Sequence, residues 1–206
     1  RSINKADITS NRLQVSRIGG IVGTLNSGGV VEGNTNDGNI LTEQSAPNDN
    51  WQAAGGIVGF EEKQGSILNT IRNNVNNGDV TIKVENNTAH ANRIGAGGIL
   101  GIGILALEVT GNTNNGKVSV TNKAAGDAFA GGVTGWLRGA SSLVKDNVNK
   151  GAVSCATSDN ANAYAGGVVG AISESVYLVS EANATGDKNE GAVTCANASG
   201  AGVIAG

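Results

Sequence analysis

The sequence predicts an all-β repeat solenoid, on three observations. A glycine string recurs at a near-constant interval, an asparagine–glycine string follows each copy, and alternating apolar residues follow that. The first string is Gly-Gly-(Ile/Val)-x-Gly, at 19–23, 55–59, 97–101, 131–135 and 166–170, its starts 34 to 42 residues apart. A worn sixth copy begins at Ala201. The second reads (Asn/Asp)-x-Asn-x-Gly-x-(Val/Ile); its glycines are Gly38, Gly78, Gly116, Gly151 and Gly191, and its central asparagines Asn36, Asn76, Asn114, Asn149 and Asn189. Self-similarity at such a period marks repeat architectures, in which each unit buries its apolar side only against its neighbours. The expected fold is a right-handed parallel β-helix with about five repeats of roughly 35–40 residues. It forms a single domain over 1–206, with repeats starting near 19, 55, 97, 131 and 166 and partial repeats at both ends.

Each repeat reads as three short strands. Two and four residues after the second glycine stand Ile40 and Thr42, Val80 and Ile82, Val118 and Val120, Val153 and Cys155, and Val193 and Cys195. The residue between them is polar in four of the five pairs, which is the period-two pattern of a strand with one buried face. The Gly-Gly string is the expected first strand. A weaker middle strand falls at Val30-Val31, Ile71, Val109, Val144 and Val179. Asn4 to Ile8 fits the frame of Asn149 to Val153, so the chain opens inside a repeat. Two short turns per repeat stay open as an alternative, because Gly19 to Gly38 and Gly97 to Gly116 each span only 19 residues.

Composition agrees. The chain has 33 glycines, one proline, no methionine, 3% aromatic and 15% charged residues. A compact globular core needs more large side chains, whereas solenoid turns cover one another with Val, Ile and backbone. A net charge of -3 makes no electrostatic case for nucleic acid. No apolar run reaches the roughly 20 residues of a membrane span, so no direct membrane insertion is expected in this fragment. The start at Arg1, without a signal peptide or methionine, and the missing capping repeats predict a fragment of a longer protein.

Stacked turns lie about 4.8 Å apart, and an asparagine amide carries both donor and acceptor. The column Asn4, Asn36, Asn76, Asn114, Asn149, Asn189 is therefore an expected hydrogen-bonded ladder, with a structural role outweighing a ligand groove. The glycines permit either positive φ or close packing of turns. Cys155 and Cys195 share one column and read as stacked core thiols rather than a disulfide or metal site. Phe129 and Tyr164 each precede a Gly-Gly by two residues, and Phe60 and Trp136 share a second column. Trp51, Phe129, Tyr164 and Trp136 are the candidate ligand-binding residues, since rows of rings can stack on sugars or on a partner. Packing over the ends of the core is the competing reading.

No catalytic residues, cofactor or metal ligands are expected. His90 is the only histidine, Glu61 and Glu62 would point to opposite faces of a strand, and the remaining acids are scattered. The sequons at Asn86, Asn183 and Asn197 arise readily by chance in so Asn-rich a chain.

The two strings together resemble the GLUG-type repeat of bacterial cell-surface proteins, as in Gly55-Gly56-Ile57-Val58-Gly59 with Asn76-Asn77-Gly78-Asp79-Val80. Ile or Val stands here where that pattern has mostly Leu. The resemblance implies an adhesin-like protein, extracellular or on the bacterial cell surface, whose partners are a host-surface protein or glycan and other domains of its parent chain. It extends to non-catalytic regions of large immunoglobulin A-cleaving metallopeptidases. The expected function is a non-catalytic scaffold or adhesive segment. The solenoid region of a secreted metallopeptidase, or a polysaccharide-active β-helix enzyme, are the alternatives.

Burying a Val or Ile side chain contributes roughly 1.5–3 kcal/mol. The column Ile40, Val80, Val118, Val153, Val193 should then be a principal source of stability. Val118→Asp is expected to abolish the cooperative thermal transition followed by circular dichroism; an unchanged melting curve would refute this register.

Overall fold

The structure is a computed structural model that describes residues 1–11, 16–44, 51–62, 67–85, 93–104, 106–138, 142–158, 161–173, 183–196 and 202–204. These residues form an all-β solenoid of five parallel sheets, each of five or six strands. One turn shows the path. Gln52–Gly55 lies in sheet 1, Val58–Glu62 in sheet 2, Asn69–Arg72 in sheet 3, Val75–Asn76 in sheet 4 and Val80–Val84 in sheet 5. The chain then returns to sheet 1 one turn further on, at Ile94–Gly97.

Register settles the size of a turn. Asn36 pairs with Asn76, Asn76 with Asn114, Asn114 with Asn149 and Asn149 with Asn189. One repeat is therefore one turn, and the two-turn alternative fails. Ile40, Val80, Val118, Val153 and Val193 stack in the register expected, as do Thr42, Ile82, Val120, Cys155 and Cys195.

Two expectations are corrected. The Gly-Gly string is a corner rather than a strand: sheet 1 ends at its first glycine, and sheet 2 begins at its fourth residue. A turn thus carries five short strands, not three. The middle strand of the last repeat is Asn183–Thr185, where Ala184 pairs with Val144; Val179 lies outside the described residues. Each member of that column, from Val31 to Ala184, stands three residues before the first Asn or Asp of the second string. Counting backward from that string holds the register, whereas counting forward from Gly-Gly crosses a connection of variable length.

The turn is folded in on itself. One apolar cluster joins sheet 5 to sheet 1, with Ile40, Val80, Ile82, Val118 and Val120 against Ala54, Ala96 and Ala130. A second joins sheet 2 to sheet 3, with Val58, Leu100 and Leu137 against Ile71, Val109 and Val144. Between them, sheets 1 and 2 meet backbone to backbone. A Cβ added at Gly101 would lie 2.7 Å from the Ala54 nitrogen, and one at Gly135 2.6 Å from the Ala96 oxygen. Sheets 3, 4 and 5 form an outer band around this inner pair.

The bend from sheet 3 into sheet 4 is left-handed in every described turn, at Gly33, Asn73, Gly111, Asp146 and Gly186, with φ between 57° and 70°. Only Gly, Asn and Asp enter this region at low cost. Nothing lies within 4 Å of a Cβ built at Gly33. Gly33→Asn is therefore expected to leave the melting temperature nearly unchanged, while Gly33→Val costs about 1–2 kcal/mol. Equal melting of the two variants would exclude this account of the bend.

Candidate functional site

The second glycine of the first string packs against the asparagine of the second. A Cβ at Gly56 would lie 2.3 Å from the Asn76 amide carbon, at Gly98 2.1 Å from that of Asn114, and at Gly132 2.2 Å from that of Asn149. The asparagines themselves form the expected ladder. Each Nδ2 donates to Oδ1 of the next turn, from Asn4 to Asn36 at 2.7 Å, then to Asn76, Asn114 and Asn149 at 2.8 Å each, and to Asn189 at 2.7 Å. The Nδ2 atoms of Asn36, Asn76, Asn114, Asn149 and Asn189 also donate to the carbonyls of Gly38, Gly78, Gly116, Gly151 and Gly191 at 2.7 to 2.8 Å. Those glycines are present for close approach and not for positive φ. A Cβ at Gly78 would lie 1.9 Å from the Gly38 oxygen, and one at Gly151 1.8 Å from the Gly116 oxygen. Asn36, Asn76, Asn114 and Asn149 are fully buried, so this column is structural and offers no open groove.

A second ladder escaped the sequence reading. Asn34, Asn74, Asn112 and Asn147 are linked through Nδ2 and backbone nitrogen to the next Oδ1, and the column closes on Asp187, whose Oδ1 accepts from Asn147 at 2.8 and 2.9 Å. Its signal was in plain view, since these residues open the second string.

The rings assemble at the opposite edge, where sheet 1 begins and sheet 2 ends. Phe129 pairs with Tyr164 in sheet 1, and their rings stack at 5.1 Å. Phe129 also stacks on Trp136 at 4.8 Å, and Trp51 meets Trp136 edge-on at 5.3 Å and Phe60 at 6.2 Å. The two expected columns thus merge into one cluster. Phe60 and Trp136 are separated in their column by Ile102. Phe129 and Trp136 are buried, whereas Trp51 and Tyr164 are half-buried. Sequence reasoning missed the arginines. Arg17 lies 3.8 Å from the Phe60 ring centroid, Arg138 5.0 Å from that of Trp51, and Arg93 5.4 Å from that of Trp136. Such contacts orient a guanidinium and leave its N–H edge available.

Cys155 and Cys195 pair in sheet 5 as free thiols, donating to the carbonyls of Ala128 and Ala163 at 3.4 and 3.2 Å. Glu61 is buried and accepts from Asn69 Nδ2 at 2.6 Å, whereas Glu62 faces Arg17, so the two acids do point apart. Among the described residues there is no group of three or more His, Cys, Asp or Glu placed to hold a metal, and no helix long and apolar enough to cross a membrane. His90, Asn86 and Asn197 lie outside the described residues. No family model, curated protein or solved structure matches this chain.

Burial pushes the Cys155 thiol up to about 12. Its folded value is raised above the ordinary thiol range, so above about pH 9 the unfolded chain releases a proton that the folded chain keeps. Stability should then fall by about 1.4 kcal/mol per pH unit between pH 9 and 12 from this group. Cys155→Val, which copies the neighbouring Val120, is expected to remove that component. The difference between the two proteins in urea denaturation at pH 8 and pH 10 measures it, and parallel pH dependences would contradict it.

Proposed function

We propose that this chain is a non-catalytic scaffold and adhesive segment of an extracellular bacterial surface protein, binding a glycan or host-surface protein along its aromatic edge. The observation that carries this reading is the division between the two edges. At one, buried amide ladders run without interruption from turn to turn and convert chain length into axial length at about 4.8 Å per turn. At the other, half-buried rings and guanidinium groups from several turns share one surface. Stiff reach combined with a multi-turn contact surface is what a surface adhesin requires. The resemblance of both strings to GLUG-type repeats supports the same assignment.

The test is retention of the immobilised 206-residue chain on arrays of glycans and on host-cell surface extracts, with parallel incubation on soluble polysaccharides. Binding that falls on Tyr164→Ala, with no new chain ends in the polysaccharides, is the expected result. Polysaccharide cleavage, or the absence of any binding, would overturn the proposal.

A further inference from the structure

Three arginines gather at the aromatic edge. Arg17, Arg93 and Arg138 come from three different turns and all lie over rings of the one cluster. This is a concentration of positive charge on a chain whose net charge is -3. Among the described residues, the exposed or half-buried acids beside it are engaged. Glu62 pairs with Arg17 at 3.4 Å, and Asp127 accepts from Asn162 Nδ2 at 3.0 Å. Arg93 is exposed and Arg138 half-buried. Among the described residues, neither forms an ion pair with a carboxylate.

Elsewhere on the molecule, charges are used differently. Arg72 pairs with Glu32, Lys83 with Glu43, and Lys123 with Glu85, each cation answering an acid one turn away. That hydrogen bond from Arg72 holds the Glu32 carboxyl below its ordinary range. Arg17 follows the same pattern with Glu62, whereas Arg93 and Arg138 depart from it among the described residues.

We infer that the edge formed by Trp51, Arg93, Trp136, Arg138 and Tyr164 binds a uronate-bearing polysaccharide. A guanidinium presents paired donors that match a planar carboxylate, and rings beneath it hold its plane in place. Half-buried Trp51 and Tyr164 supply apolar faces for the C–H surface of a sugar ring. A polyuronate presents both features in every residue along an extended chain, and an edge built from successive turns repeats on a comparable length scale.

This inference rests on the adhesive reading above, and the experiment separates the two. The 206-residue chain is titrated calorimetrically with polygalacturonate, with the same polymer methyl-esterified, and with neutral galactan. Binding to polygalacturonate should weaken at least about tenfold on esterification and in the double variant Arg93→Gln/Arg138→Gln. Arg93→Lys/Arg138→Lys keeps the charge but loses the fork, and should recover only part of the affinity. Melting curves of both variants verify that the fold is retained. Equal affinity for esterified and free polymer, or full affinity in the folded Gln variant, would overturn the assignment. Binding to neutral glycans or host protein without polygalacturonate binding would overturn it while leaving the adhesive reading in place. Shortening of the polygalacturonate would instead overturn the non-catalytic reading.

Discussion

The structure depends on the contact between a glycine corner and an asparagine side chain. At Gly98 there is no volume for a methyl group, because the Asn114 amide carbon and the Gly132 oxygen already occupy it. The amide in turn has no freedom to move aside, since its Nδ2 donates both to the Gly116 carbonyl and to Asn149 of the next turn. A buried amide left without partners would cost about 1–3 kcal/mol, so each asparagine is held by the requirement to satisfy its own hydrogen bonds. The inner pair of sheets is consequently drawn against the outer band at the same point in every turn. This explains why the two strings occur together: they are the two sides of one interface.

Much of the architecture was legible in the sequence because it obeys column rules. The alternation at Val118 and Val120 identified a strand, the recurrence of Asn36 and Asn76 identified a ladder, and the match of Asn4 to Asn149 fixed the register of the first turn. What was not legible follows from physics that a one-dimensional pattern does not carry. Gly-Gly-Ile-Val-Gly has the composition of a strand and became a corner, because the decisive fact is a clash with a residue some 20 positions away. The left-handed bend was hidden by chemistry shared among Gly33, Asn73 and Asp146, three residue types that look unrelated until φ is known. At the aromatic edge, the columns of Phe129 and Tyr164 were readable, but the arginine stacking was not. Arg17 stands in the same column as Phe129 and Tyr164, through Ala53 and Gly95, whereas Arg93 and Arg138 hold two other positions in the repeat and reach the rings from there.

The two edges of the turn live under different constraints. At the ladder edge, the separation of glycine from asparagine within the second string never varies, and a single methyl group is too much. The opposite edge absorbs every difference in repeat length, since the connections into sheet 1 and out of sheet 2 end there. Its side chains change from turn to turn: Ala53, Gly95, Phe129 and Tyr164 share one column. Gly95 and Ile102 interrupt the rings in the third turn, and Trp51 and Trp136 meet across that gap. The invariant contacts of the turn and its variable side chains thus lie at different edges, although Phe60, Phe129 and Trp136 at the variable edge are themselves buried.

The amides of the ladder all point the same way, each giving a hydrogen to the turn that follows and receiving one from the turn before. Along this ladder, every boundary between turns is therefore chemically equivalent to every other. A duplicated turn inserted into the stack would find, above and below it, the same amide partners its parent had, and only the aromatic edge would be recomposed. Length is then a quantity that gene duplication can adjust in whole steps, and chains of different reach can arise from one unit without passing through an unfolded intermediate sequence.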